Sequence, residues 1–147
     1  MKNNLFLCLG VTVLLLSNCP SGFAQDIALA NDNQERGALL MAKGWLRVVD
    51  QGQGEQSWKD ASSYFKSRWK KERWISQVSQ ARKILGKLKS RALKNKLIAE
   101  LPPGAPDGEY LDITYATATV HKSAVTETVT VMKEKDGQWR VAGYIIR

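Results

Sequence analysis

Apolar residues recur along this chain with two different periods. From about Asn33 to Gln51, Ala38, Leu39, Ala42, Trp45, Leu46 and Val49 fall at three- and four-residue intervals. That is the stripe of an amphipathic helix, with Asp32 or Asn33 as its cap. Gly52 and Gly54 break the pattern, and Trp58, Ala61, Phe65 and Trp69 then set a second helix. Around Lys70 the chain turns into a third, carried by Trp74, Val78, Ala81 and Leu85, with Gly86 placed to end it in a left-handed cap. The four tryptophans Trp45, Trp58, Trp69 and Trp74 lie at helical spacing, which more often marks core than a binding platform.

After Gly86 the period changes to two. Leu93, Leu97 and Leu101 share one side of an alternating segment that reads as a strand. "LPPGAPDGEY", with three prolines and two glycines, is a connecting loop. Tyr110 to Val120 and Ala124 to Lys133, rich in Thr, Val, Ile and Tyr, are paired strands joined at His121-Lys122-Ser123. Asp136-Gly137 makes the next turn, and Trp139 to Ile146 is a last strand paired with Val125 to Lys133, with Trp139, Val141 and Ile145 on one face. Helices followed by strands predict an α+β domain: about three helices packed on a curved four-stranded antiparallel sheet.

Composition changes this picture at the N-terminus. Lys2, the apolar run from Leu5 to Leu16 and the small residues before Gln25 have the layout of an export signal, with cleavage expected after Ala24. The run is shorter than the roughly 20 residues of a membrane-spanning helix. Lipoprotein processing at Cys19 is disfavoured by Asn18 before it and Pro20 after it. The expected organisation is a signal peptide over 1–24, a loose polar lead over 25–32 and one domain over 33–147, delivered to the periplasm or secreted. Cleavage removes both cysteines, Cys8 and Cys19, and leaves His121 as the only histidine. Thiolate chemistry is then excluded, and zinc or Ser-His-Asp centres are disfavoured. No transmembrane segment is expected in the mature chain, and no cofactor or metal is assigned.

Charge is concentrated. Between Lys66 and Lys96 there are twelve Lys or Arg against the single acid Glu72, so this segment carries +11 while the rest of the mature chain sums to −4. Arg73, Lys83 and Lys87 project opposite the apolar stripe of their helix and are candidates for a surface that meets an anionic lipid, glycan or nucleic acid. The plainer reading is a solvated helix face and an edge strand protected by Lys89, Lys94 and Lys96. Sequence-specific nucleic-acid binding has no motif behind it.

Several blocks together resemble a known family: Ser57-Trp58, Trp74, Leu85-Gly86, Ser90-Arg91, Pro103 to Tyr110, Glu127 to Lys133 and Asp136 to Tyr144. They are similar to the secreted bacterial family called domain of unknown function 4019, within the cystatin-like or nuclear-transport-factor-like α+β class. The resemblance implies a cystatin-like roll and an exported location, and no activity. The chain departs from the family pattern at Gly54, where Tyr is common, which implies a looser join between the first two helices.

Folds of that class often enclose a cone between sheet and helices, which directs attention to Glu127. It shares a strand face with Val125, Val129 and Val131, and a carboxylate on an apolar face is costly unless paired. Either it is a general base or ligand hook, with Tyr115 and Tyr144 as hydroxyl partners, or it is a salt-bridge anchor for Arg91 or Arg140. Tyr115 and Tyr144 more often serve as half-buried strand aromatics, and His121 is expected exposed in its turn. The favoured function is a non-catalytic exported binding module for an unidentified small ligand or protein. The alternatives are a small pocket enzyme using Glu127, an isomerase, dehydratase or hydrolase, and an envelope protein acting through residues 66–96.

Overall fold

The structure, a computed structural model, describes residues 22–99 and 104–147. Cys8, Cys19, the signal segment up to residue 21 and the Leu101-Pro102-Pro103 start of the loop lie outside the described residues. Four helices precede four strands: α1 (Gly22–Asp50), α2 (Gly54–Lys59), α3 (Ser63–Arg68), α4 (Lys71–Leu85), β1 (Leu88–Ile98), β2 (Tyr110–Thr119), β3 (Val125–Lys133) and β4 (Trp139–Ile146). The strands form one antiparallel sheet in the order β1-β2-β3-β4, so this is an α+β fold with β1 and β4 at the edges.

Helix α1 buries Ala38, Ala42, Trp45, Leu46 and Val49 against the sheet, as their spacing requires. It begins at Gly22, ahead of the expected start, so residues 25–32 are helical and not a loose lead. Ala28, Leu29 and Ala30 favour helix there, and extending a helix already nucleated has little cost.

The single helix expected over Trp58 to Trp69 is two. Ser62 leaves the helical conformation (φ −66°, ψ 162°), and its hydroxyl caps α3 by accepting from the Phe65 amide at 3.0 Å. The Ser62 amide donates to the Val141 carbonyl at 2.9 Å, so the break also docks the helices on β4. The join before α2 is tight, contrary to the implication of the missing Tyr. Gly54 is buried, and a Cβ there would stand 2.9 Å from Ile75 Cα.

Helix α4 buries Trp74, Val78 and Leu85 and ends at Gly86, whose φ of +73° needs a glycine as expected, although its ψ of −162° gives an extended backbone and not the left-handed helical conformation of the expected cap. Arg73, Lys83 and Lys87 are exposed. His121 is exposed too, with its ring against Gly86 and its amide donating to the Leu85 carbonyl at 3.0 Å.

In the core Trp45 stacks on Trp74 with ring centroids 5.8 Å apart, and Phe65 meets Trp74 edge-on at 4.9 Å. Both indole N–H groups find Ser57: Trp45 donates to its carbonyl at 2.8 Å and Trp74 to its hydroxyl at 2.9 Å. These two tryptophans are core.

Two register shifts correct the period-two reading. In β1 a shift between Leu93 and Asn95 leaves Leu93 opposite Tyr115 and Leu97 opposite Asp112, hence on opposite faces. In β4 a shift opposite Thr130/Val131 turns Tyr144 and Ile146 to the helix side and Ile145 outward, away from the face of Val141.

Candidate functional site

The helix-facing side of the sheet is apolar along the middle of β3 except at one position. Val125, Val129 and Val131 are buried there, and Glu127 among them is 0 % exposed. Its cost is met by three donors. Arg91 Nε on β1 donates to Oε2 at 2.7 Å, the Thr117 hydroxyl on β2 donates to the same oxygen at 2.5 Å, and the Tyr144 hydroxyl on β4 donates to Oε1.

Arg91 in turn grips Asp50, the last residue of α1, with both terminal nitrogens, at 2.7 and 2.9 Å. Arg82 on α4 donates to the same carboxylate at 2.8 Å. A carboxylate at a helix C-terminus is opposed by the helix dipole, and the two guanidiniums offset that here. Two cations and two anions thus form one neutral chain, Arg82–Asp50–Arg91–Glu127, with side chains from α1, α4, β1 and β3 and hydroxyl support from β2 and β4.

Burial alone would raise the Glu127 pKa, but the hydrogen bonds from Arg91, Thr117 and Tyr144 outweigh it and hold the carboxyl below the ordinary glutamate range. Burial, and then the Glu127 charge beside it, push the Tyr144 hydroxyl well above its usual value, so it stays a donor. Desolvation opposes the Arg91 charge, yet the hydrogen bonds to Asp50 and Glu127 prevail and keep it protonated.

Of the two arginines expected beside Glu127, Arg91 is the partner and Arg140 is not. Arg140 lies opposite Met132 in the sheet register, on the face turned away from Glu127. There it pairs with Glu134 at 2.7 Å and Asp136 at 2.8 Å, and that contact lowers the Asp136 pKa to about 2. Asp50 and Arg82 escaped the sequence reading. Asp50 ends the α1 stripe and Arg82 flanks the α4 stripe, and such positions look solvent-facing until the sheet edge folds over them.

Beside this network a groove of about 640 Å³ runs between α1 and the edge strand β1. Its α1 wall is a second stripe, Arg36, Leu40, Lys43, Arg47 and Asp50, at spacings of four, three, four and three. Leu88, Lys89, Arg91 and Leu93 form the other wall, with Leu39 and Tyr115 also lining it. Leu40 is 64 % exposed and Leu93 49 %, an unusual display of leucine on facing elements. Glu127 is not part of the lining; Tyr115, its register partner on β2, is. Burial raises the Tyr115 pKa, and its hydroxyl makes no hydrogen bond among the described residues.

Among the described residues no three His, Cys, Asp or Glu side chains gather closely enough to hold a metal ion, and no helix is long and apolar enough to cross a membrane.

The fold and site define a small α+β protein with an ion-paired core beside an apolar groove. The family described as protein of unknown function (DUF4019) matches residues 41–144, and the chain belongs to that family. The matched span takes in every member of the ion network, whereas Arg36, Leu39 and Leu40 of the groove precede it. No curated protein matches the chain.

Proposed function

We propose that this chain is an exported, non-catalytic binding module whose ligand site is the groove between α1 and β1. The observation that carries the reading is the groove itself: its volume of about 640 Å³ falls in the range of small-molecule sites, and leucines from both walls stand open along it. Glu127 supports the non-catalytic part, since a fully buried carboxylate engaged by three donors offers no oxygen to a substrate. The charged, apolar, small-residue order of residues 1–24 supports export, and the layout of helices on a sheet is compatible with a cystatin-like or nuclear-transport-factor-like roll.

The test uses N-phenyl-1-naphthylamine, an uncharged probe that brightens in apolar surroundings. Its fluorescence should saturate at one equivalent per chain and fall sharply in Leu40→Arg and Leu93→Arg. A probe that stays dark, or whose uptake ignores both changes, removes the groove as the site. For export, the intact mass of protein recovered from the periplasm or medium should begin at Gln25; retained Met1 or an acylated Cys19 contradicts that processing.

A second reading has its own observation. Eight of the twelve cations between Lys66 and Lys96 make no ion pair among the described residues, so a polyanion surface there remains a competing use of the fold.

A further inference from the structure

Resting on the groove as the ligand site, we infer that its occupant is a single-chain amphipathic anion, one alkyl or acyl chain with a carboxylate or phosphate at its end. Shape is the first argument. The α1 wall extends from Arg36 to Asp50, which at a rise of 1.5 Å per residue is ~21 Å of helix flanking an edge strand. A trough of that length suits an extended chain better than a compact ring system. Its leucines come from both walls, Leu39 and Leu40 on one side and Leu88 and Leu93 on the other, so a chain lying between them is covered from two sides.

Charge is the second argument. Lys43 and Arg47 on α1 and Lys89 on β1 make no ion pair among the described residues. The one carboxylate in the lining, Asp50, is already held by Arg82 and Arg91. The free charge around an apolar floor is therefore entirely positive, which favours an anionic head and opposes a cationic one. The third argument is Tyr115. It is more than nine-tenths buried, it lines the groove, and its hydroxyl has no partner among the described residues, so it is placed to bond a polar head.

A lipid taken singly and a lipid left in its bilayer present the same head chemistry. The groove commits to the single molecule, because its leucines line a trough between helix and strand and do not form a protruding face.

The experiment displaces N-phenyl-1-naphthylamine from the purified full chain, its N-terminus defined by intact mass, with ligands kept below their micelle concentrations. Decanoate and decyl phosphate should displace it at concentrations on the order of tenfold lower than decanol, and decyltrimethylammonium should be weakest. From octanoate to dodecanoate each methylene should tighten binding about two- to fourfold, the upper figure being ~0.8 kcal/mol per fully buried methylene. Added salt should narrow the gap between decanoate and decanol. Lys43→Glu combined with Arg47→Glu should close that gap while the variant still melts cooperatively.

Equal displacement by acid and alcohol, or a preference for the ammonium, overturns the anion while leaving the groove as the site. Displacement only by phosphatidylglycerol vesicles transfers the ligand to a membrane surface and overturns the free amphiphile. A chain that sediments as a dimer and excludes the probe puts a second copy in the groove, and both the inference and the reading beneath it fail.

Discussion

Glu127 concentrates the energetics of the sheet in one side chain. Replacing it by Gln keeps the shape but leaves Arg91 half-compensated in a closed site, so Glu127→Gln should destabilise the domain by ~3–5 kcal/mol, read from denaturant melts at neutral pH. A stabilised variant would instead mean that the carboxylate is held there at a cost for binding or catalysis. The sign of the pH dependence follows from the lowered pKa. The ionised carboxylate contributes fully above the ordinary glutamate range, and that contribution is lost as pH falls through the lower folded value. The wild-type melting temperature should therefore fall more steeply than that of Glu127→Gln on acidification below about pH 4. Glu127 was legible as an anomaly because three valines share its face. Its choice between Arg91 and Arg140 was not, because the deciding fact is the pairing of Arg140 with Met132 on the opposite face.

Among the elements, the helices and strands follow from periodicity, and the departures arise where one residue interrupts it. Ser62 ends a run that the spacing of Trp58, Ala61, Phe65 and Trp69 carries past it, and a Ser three residues before Phe65 is the capping signal that outweighs the stripe. The shifts in β1 and β4 escape any period-two reading, since an extra residue in one strand shows only against its partner. They matter to the site: the β1 shift keeps Leu93 on the groove side while turning Leu97 out. Two tests belong to this scale. Gly54→Ala forces a methyl against the Ile75 backbone, so α2 and α4 must separate, with an expected loss of ~1–3 kcal/mol in denaturant melts. Deletion from Trp139 onward removes Val141, the Tyr144 donor to Glu127 and the strand covering β3 together. It should abolish cooperative unfolding; a truncated chain that melts cooperatively near the original temperature would detach β4 from the core.

For the molecule as a whole, the basic segment is the feature most plainly written in the sequence and most altered by folding. Counting shows twelve cations, but Lys71 is spent on Glu55, Arg82 and Arg91 on Asp50 and Glu127, and Lys96 on Glu35, all partners far away in sequence. Adjacency in sequence therefore overstates the surface charge, and the groove, built from residues near 40 and near 90, is invisible to it. The remaining cations include the exposed Arg73, Lys83 and Lys87. Whether they form a surface or only add to the net charge is decided by a matched pair of variants on immobilised heparin. Wild type should be retained at low ionic strength and released between ~0.1 and 1 M salt, as the screening length falls from about 10 to about 3 Å. A local surface requires the triple change Arg73→Glu, Lys83→Glu, Lys87→Glu to elute at much lower salt than the triple change Lys122→Glu, Lys135→Glu, Arg147→Glu, which alters net charge equally from exposed positions outside the segment. Equal shifts would reduce the basic segment to a solvated face and an edge strand guarded by lysines, and leave the groove as the one binding feature of the fold under test.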